Sequence, residues 1–155
     1  MIGVPDDASG RGRGDVGQVG GIEVLPFGLL LFVVASLVVA NAWAVIDAKA
    51  TVDSASRAGV RAAVEAPDPA TAAARADAAA RHVLERSGRA DDATVDVEAV
   101  EGFARCAPVT VRATVHVPTV HVPWLGGVGG GFDVTEQHGG IVDPYRSGLP
   151  GAAAC

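Results

Sequence analysis

Val24 to Ile46 reads VLPFGLLLFVVASLVVANAWAVI, and these 23 uncharged residues restrict the fold more than any other feature of the chain. As a helix the run spans ~35 Å at ~1.5 Å per residue, enough to cross a bilayer core of about 30 Å. Glu23 stands at its mouth. A carboxylate at the edge of lipid is costly without a partner, so Glu23 is by default a candidate functional residue that seeks a cation. Pro26 falls near the helix start, where a missing N–H matters least.

The chain has 155 residues and a formal net charge of −6. The hydrophobic share is 49%, but much of it is alanine and aromatics are only 5%, so the part after the run is one small domain with a thin core. Lys49 is the only lysine, and no basic footprint for nucleic acid exists. Residues 1–21 are Gly-rich without apolar periodicity and predict a disordered leader. Gly12, Gly14 and Gly17 match G-x-G-x-x-G, yet no strand precedes them and no βαβ unit follows, which excludes a dinucleotide site. Ala40-Asn41-Ala42 offers a signal-peptidase pattern. The run exceeds the usual ~7–15 residues of a signal sequence and its leader is acidic, which favours a retained anchor over secretion.

Helix formers continue past the run, predicting a transmembrane helix plus helical stalk over residues 22–66. Val45, Ala48, Val52, Ala55, Gly59 and Ala62 recur on one side; Asp53, Arg57, Arg61 and Glu65 fall four apart on the other. Pro67-Asp68-Pro69 breaks the helix, with Asp68 as N-cap of a second one over about 70–87 that ends at Gly88. The apolar side of this helix is Ala73, Ala76, Ala80, Val83 and Leu84, and Asp77–Arg81 and Arg81–Glu85 are spaced for pairing. The period then changes to 2. Residues 94–100 and 109–117 alternate as antiparallel strands with one wet face, and a third, shorter strand covers 132–137. The expected class is α+β: a long N-terminal transmembrane helix continuing as a stalk, a second short helix, and a small antiparallel sheet of about three strands. The domain order is a leader (1–21), an anchor and stalk (22–66), a small extracytoplasmic domain (67–140) and an extended C-terminal tail (141–155).

Ser36, Ala40, Ala44 and Ala48 recur every four residues, a spacing that lets two helices approach closely and makes them candidates for helix packing. Cys106 and Cys155 form a candidate disulfide if they lie outside the cell; two free thiols and a link between chains are the alternatives. His82, His116, His121 and His138 lack ligand spacing, and His116 and His121 have opposite strand parity, so neither metal nor other cofactor is expected. There is no nucleophile elbow and no phosphate loop, and Asp91-Asp92 lies in a predicted turn. No enzyme activity and no small-molecule substrate are expected.

The order of these features, with Ser54-Ala55-Ser56-Arg57-Ala58-Gly59-Val60-Arg61-Ala62-Ala63 after the apolar helix, resembles the TadE-like pilus assembly proteins, minor pilin-like components of tight-adherence (Flp-type) pilus systems. Val109 to Val115 resembles the Val/Thr strand of that family, and Pro123-Trp124-Leu125-Gly126 and Ile141 to Gly148 resemble its actinobacterial members. The resemblance covers roughly residues 17–150. It implies a single-pass protein with its N-terminus cytoplasmic and its C-terminal domain extracytoplasmic. The implied partners are the lipid bilayer, other pilin-like subunits, the pilus assembly machinery and a prepilin peptidase. In pilin-like proteins such a peptidase cuts after a glycine and leaves glutamate fifth; counted from Glu23, Gln18 stands at that place. The alternative function is an anchored or secreted extracellular binding module, with Trp124 and the Gly126–Gly131 run as its contact surface.

Overall fold

Pro67 and Asp68 interrupt a chain that favours helix on both sides, and the architecture turns on that break. The structure, a computed structural model, describes residues 24–98, 102–119, 130–152 and 154–155. Helix α1 spans Val24–Val64 and α2 spans Pro69–Arg86; after a 3-10 turn at Ala90–Asp92 come β1 (Ala93–Glu98), β2 (Pro108–Val117) and β3 (Phe132–Ile141). The class is α+β. Contacts divide the chain into two units, Met1–Leu37 and Val38–Cys155. The described part of the first is the opening of α1, whose large apolar side chains, Leu37 excepted, are exposed.

In the second unit the ends of α2 follow from local chemistry. Asp68 accepts hydrogen bonds from the Thr71 backbone N–H (2.8 Å) and hydroxyl (2.6 Å), and Pro69 opens the helix. The Thr71 hydroxyl and N–H hold the Asp68 carboxyl below its ordinary range. Gly88 closes α2 in the left-handed region (φ 68°), so that the Arg89 N–H reaches the Leu84 carbonyl at 2.9 Å.

The sheet is antiparallel in the order β1-β2-β3. Val109, Val111, Ala113, Val115 and Val117 of the central strand are buried beneath both helices. One half of the core joins Val109 and Val111 to Val60, Ala63, Ala66, Ala72 and Ala76. The other joins Ala113, Val115 and Val117 to Ala48, Val52, Ala55, Ala80 and Leu84. The helix residues here are mostly alanine, and Gly59 takes the closest point: a Cβ there would lie 2.9 Å from Val111 Cγ1 and 3.2 Å from the Ala76 carbonyl oxygen. The opposite sheet face is polar, with Arg112 bound to Gln137 (2.9 Å) and near Glu98 (3.5 Å), and Thr114 bound to Thr135 (2.9 Å).

The later half of α1 is thus the central packing element and not a free-standing stalk. Ala48, Val52, Ala55 and Gly59 point inward as their spacing predicts, joined by Ser56, Val60 and Ala63 because a sheet covers a wider arc than a single partner helix. Ser56 is satisfied by the Val52 carbonyl (2.9 Å). The spaced charges Asp53–Arg57 (3.2 Å) and Asp77–Arg81 (2.9 Å) pair; Arg61–Glu65 and Arg81–Glu85 are not within ion-pair distance. Strand β3 extends to Ile141, four residues beyond the sequence expectation, through Gly139-Gly140. The tail is fastened to the sheet's neighbouring loop. Val142 and Leu149 are buried, Val142 exchanges backbone hydrogen bonds with Ala107 and Cys106 (both 3.0 Å), and Arg105 N–H reaches the Pro150 carbonyl at 2.8 Å.

Candidate functional site

Among the described residues α1 is the one helix long and apolar enough to cross a membrane. Along its apolar run most large side chains are exposed: Leu25 is 73% exposed, Phe32 69%, Val39 66% and Trp43 71%. Water disfavours an apolar surface this continuous, whereas lipid accepts it, and a helix satisfies its own backbone there. Ser36 does likewise by donating its hydroxyl to the Phe32 carbonyl at 2.8 Å.

The stripe of small residues divides. Ser36 and Ala40 lie on the exposed part of α1, while Ala44 is half-buried against the core and Ala48 is fully buried within it. The smallness of Ala48 serves the approach of α1 to the chain's own sheet, so it is not offered to a second helix. Glu23 lies outside the described residues, as do His121, Trp124 and residues 126–129. Cys106 and Cys155 are joined in a disulfide within the chain, closing 49 residues of sequence separation. Cys106 itself sits in the left-handed region (φ 64°).

Alongside α1 runs a ladder that the sequence did not announce. Glu136, His138 and Gly140 of β3 share one face, and each meets α1. Lys49 Nζ lies 3.2 Å from Glu136 Oε1; His138 Nε2 lies 2.7 Å from Asp53 Oδ1; a Cβ on Gly140 would come within 2.5 Å of Val60 Cγ1. The same His138 nitrogen is 3.3 Å from Arg57 Nε. It cannot both donate to Asp53 and accept from Arg57, and the shorter contact to a carboxylate decides for donation. Arg57 then turns its guanidinium to Asp53 at 3.2 Å. The His138 hydrogen bond is the largest influence on Asp53, and with Arg57 it outweighs desolvation to hold the carboxyl below its ordinary range. A further pair, Arg89–Asp47 at 2.7 Å, ties the end of α2 to α1. Arg146 caps the C-terminus of α1 by donating to the Val64 carbonyl at 3.0 Å and to the Glu65 carbonyl.

His116 makes the second polar knot. Its Nδ1 faces Asp133 Oδ1 at 2.7 Å and its Nε2 faces the Gly130 carbonyl at 2.9 Å. Both partners are acceptors, so only the imidazolium satisfies both ring nitrogens. The Asp133 hydrogen bond raises the His116 pKa most; desolvation opposes it, and the Gly130 carbonyl and the charges of Asp133 and Asp92 add to it. Gly131 (φ 106°) lies against the ring, where a side chain would collide with it.

These clusters fasten elements together. Each acid is bound to a cation or a donor, and no nucleophile stands beside a base. Among the described residues no three His, Cys, Asp or Glu side chains gather as a metal site. No protein-family model, curated protein or solved structure matches the chain.

Proposed function

We propose that this is a single-pass, pilin-like membrane protein that acts in assembly of a tight-adherence (Flp-type) pilus, through packing of its N-terminal helix with other subunits and through contacts of its extracytoplasmic part. The carrying observation is the exposed, uncharged Val24–Ile46 stretch of α1, which continues into a small disulfide-tied α+β unit. The intrachain disulfide supports an oxidising compartment for that unit, and hence a cytoplasmic N-terminus. The pilus assignment rests on the likeness of residues 54–63, 109–115, 123–126 and 141–148 to TadE-like proteins. In this reading Glu23 pairs with a cation, such as the N-terminal amine of a neighbouring subunit, which offsets part of its insertion cost. The protein is then a structural component with no catalytic role.

The test separates anchoring from assembly. Glu23→Gln and Glu23→Ala should leave the full chain in the membrane pellet after alkaline extraction while sharply lowering the number of surface pili. Normal piliation in both variants would remove the pairing role; release of the wild-type chain into the alkaline supernatant would remove the anchor.

A further inference from the structure

The sheet carries apolar surface at the end level with the close of the apolar run. Strand β2 runs opposite to α1: Val109 and Val111 pack with Val60 and Ala63, whereas Val115 and Val117 share their cluster with Ala48 and half-buried Ala44. Val117 pairs with Phe132, so both strand ends lie at the helix level of Ala44. The ladder along β3 locates Phe132 more closely. Glu136 meets Lys49. From Glu136 back to Phe132 is four strand residues, ~14 Å at ~3.4 Å each. From Lys49 back to Trp43 is six helix residues, ~9 Å at ~1.5 Å each. The strand covers more length than the helix does, so even with a moderate inclination Phe132 lies past Ile46 and at or beyond the level of Trp43.

Phe132 has the strand parity of Val134 and Glu136, the side that carries α1, yet it is 58% exposed; Trp43 is 71% and Ile46 62% exposed. The pairs Lys49–Glu136 and Arg89–Asp47 lie just above this level, and below it the described part of α1 carries no charge. Asp133 is the one charge next to Phe132 in sequence; it has the opposite strand parity and is held by His116 as an ion pair.

We propose that the Phe132 end of the sheet enters the headgroup–acyl boundary beside Trp43 and Ile46, giving the protein a second contact with the bilayer besides its spanning helix. The inference rests on the membrane reading above. Aromatic side chains favour this layer, and the bilayer is the occupant continuous with the surface that α1 already presents. The paired charges stay in the headgroups, where their hydration is kept.

Tryptophan fluorescence of the full chain in vesicles of phosphatidylcholine brominated high on the acyl chain tests this. Trp43→Phe and Trp124→Phe remove the native tryptophans, and Phe132→Trp supplies a single reporter. Its emission should shift to shorter wavelength and lose most of its intensity relative to vesicles without bromine. Val33→Trp in the same background reports on the anchor, and Thr135→Trp, of opposite strand parity, should remain unquenched. Water-like, unquenched emission from Phe132→Trp beside a quenched Val33→Trp overturns the inference and leaves the anchor standing. A blue-shifted but unquenched Phe132→Trp means that protein covers the site, which also overturns it. Quenching of Thr135→Trp to the same extent refutes a shallow, one-sided contact. Loss of quenching at Val33→Trp as well would defeat the anchor reading itself.

Discussion

Gly59→Ala sets two opposed effects against each other with known sizes. At an open helical position the change stabilises by about 1 kcal/mol. At Gly59 the new Cβ would sit 2.9 Å from Val111 Cγ1 and 3.2 Å from the Ala76 carbonyl oxygen, against an ordinary carbon contact of about 3.5–4.0 Å. Val111 is fully buried on the central strand and, being β-branched, has little rotamer freedom to retreat. The carbonyl belongs to helical backbone, which moves only with α2. Overpacking of this kind costs about 1–3 kcal/mol, so the net expectation is destabilisation by about 1 kcal/mol. With m near 2 kcal/mol/M, the urea midpoint falls by roughly 0.5 M. Val111→Ala alone should cost about 2 kcal/mol. In the double variant the collision with Val111 Cγ1 disappears while the approach to the Ala76 carbonyl remains, so the combined loss should fall short of the sum by about 1 kcal/mol. Urea titration of the full chain in mild detergent, followed by far-ultraviolet circular dichroism, measures all four states. Stabilisation by Gly59→Ala, or additivity in the double variant, would refute the seating of α1 on β2 at this point.

Two further outcomes follow from the polar and covalent ties. Replacing Cys106 and Cys155 together by serine should lower stability by up to about 4 kcal/mol, the chain-entropy figure for this separation, and reduction of the wild type should match it; a loss under about 1 kcal/mol would mean that the tail docks without the tie. His116 has a raised pKa when folded, so its contribution is fully present below its ordinary value of about 6.5 and fades as pH rises through the raised value. Stability measured from about pH 5 to 9 should therefore decline on the alkaline side in the wild type and flatten in His116→Gln; an unchanged decline would dissociate it from His116.

Periodicity carried the elements whose packing is local. Ala76, Ala80 and Leu84 of α2, the Asp68 cap and the strict alternation of β2 all follow from short-range spacing, although Ala72 and not Ala73 completes the buried line of α2. What escaped is long-range. Glu136 and His138 occupy the helix-side parity of β3, where an apolar residue is the simple expectation, and they are tolerated because Lys49 and Asp53 meet them from far along the chain. Gly139-Gly140 hides the true length of β3, since glycine has low strand propensity; at Gly140 the absence of a side chain is what admits Val60 and Val64. The same blindness made the later half of α1 look like a stalk, because an alanine-rich face does not reveal whether its partner is a helix or a sheet. The candidate residues divided along similar lines. The disulfide was open to several readings in sequence and closes within one chain; the small-residue stripe was split, because half of it lies where the sheet begins.

Strand β3 is an outer strand, and its ten residues would make an effective template for another molecule's strand if they were uniformly apolar. Glu136 and His138 on its inner face, with two glycines beyond them, work against such an adhesive edge. Copies of this protein crowded together are thereby steered away from sheet-to-sheet fusion along β3.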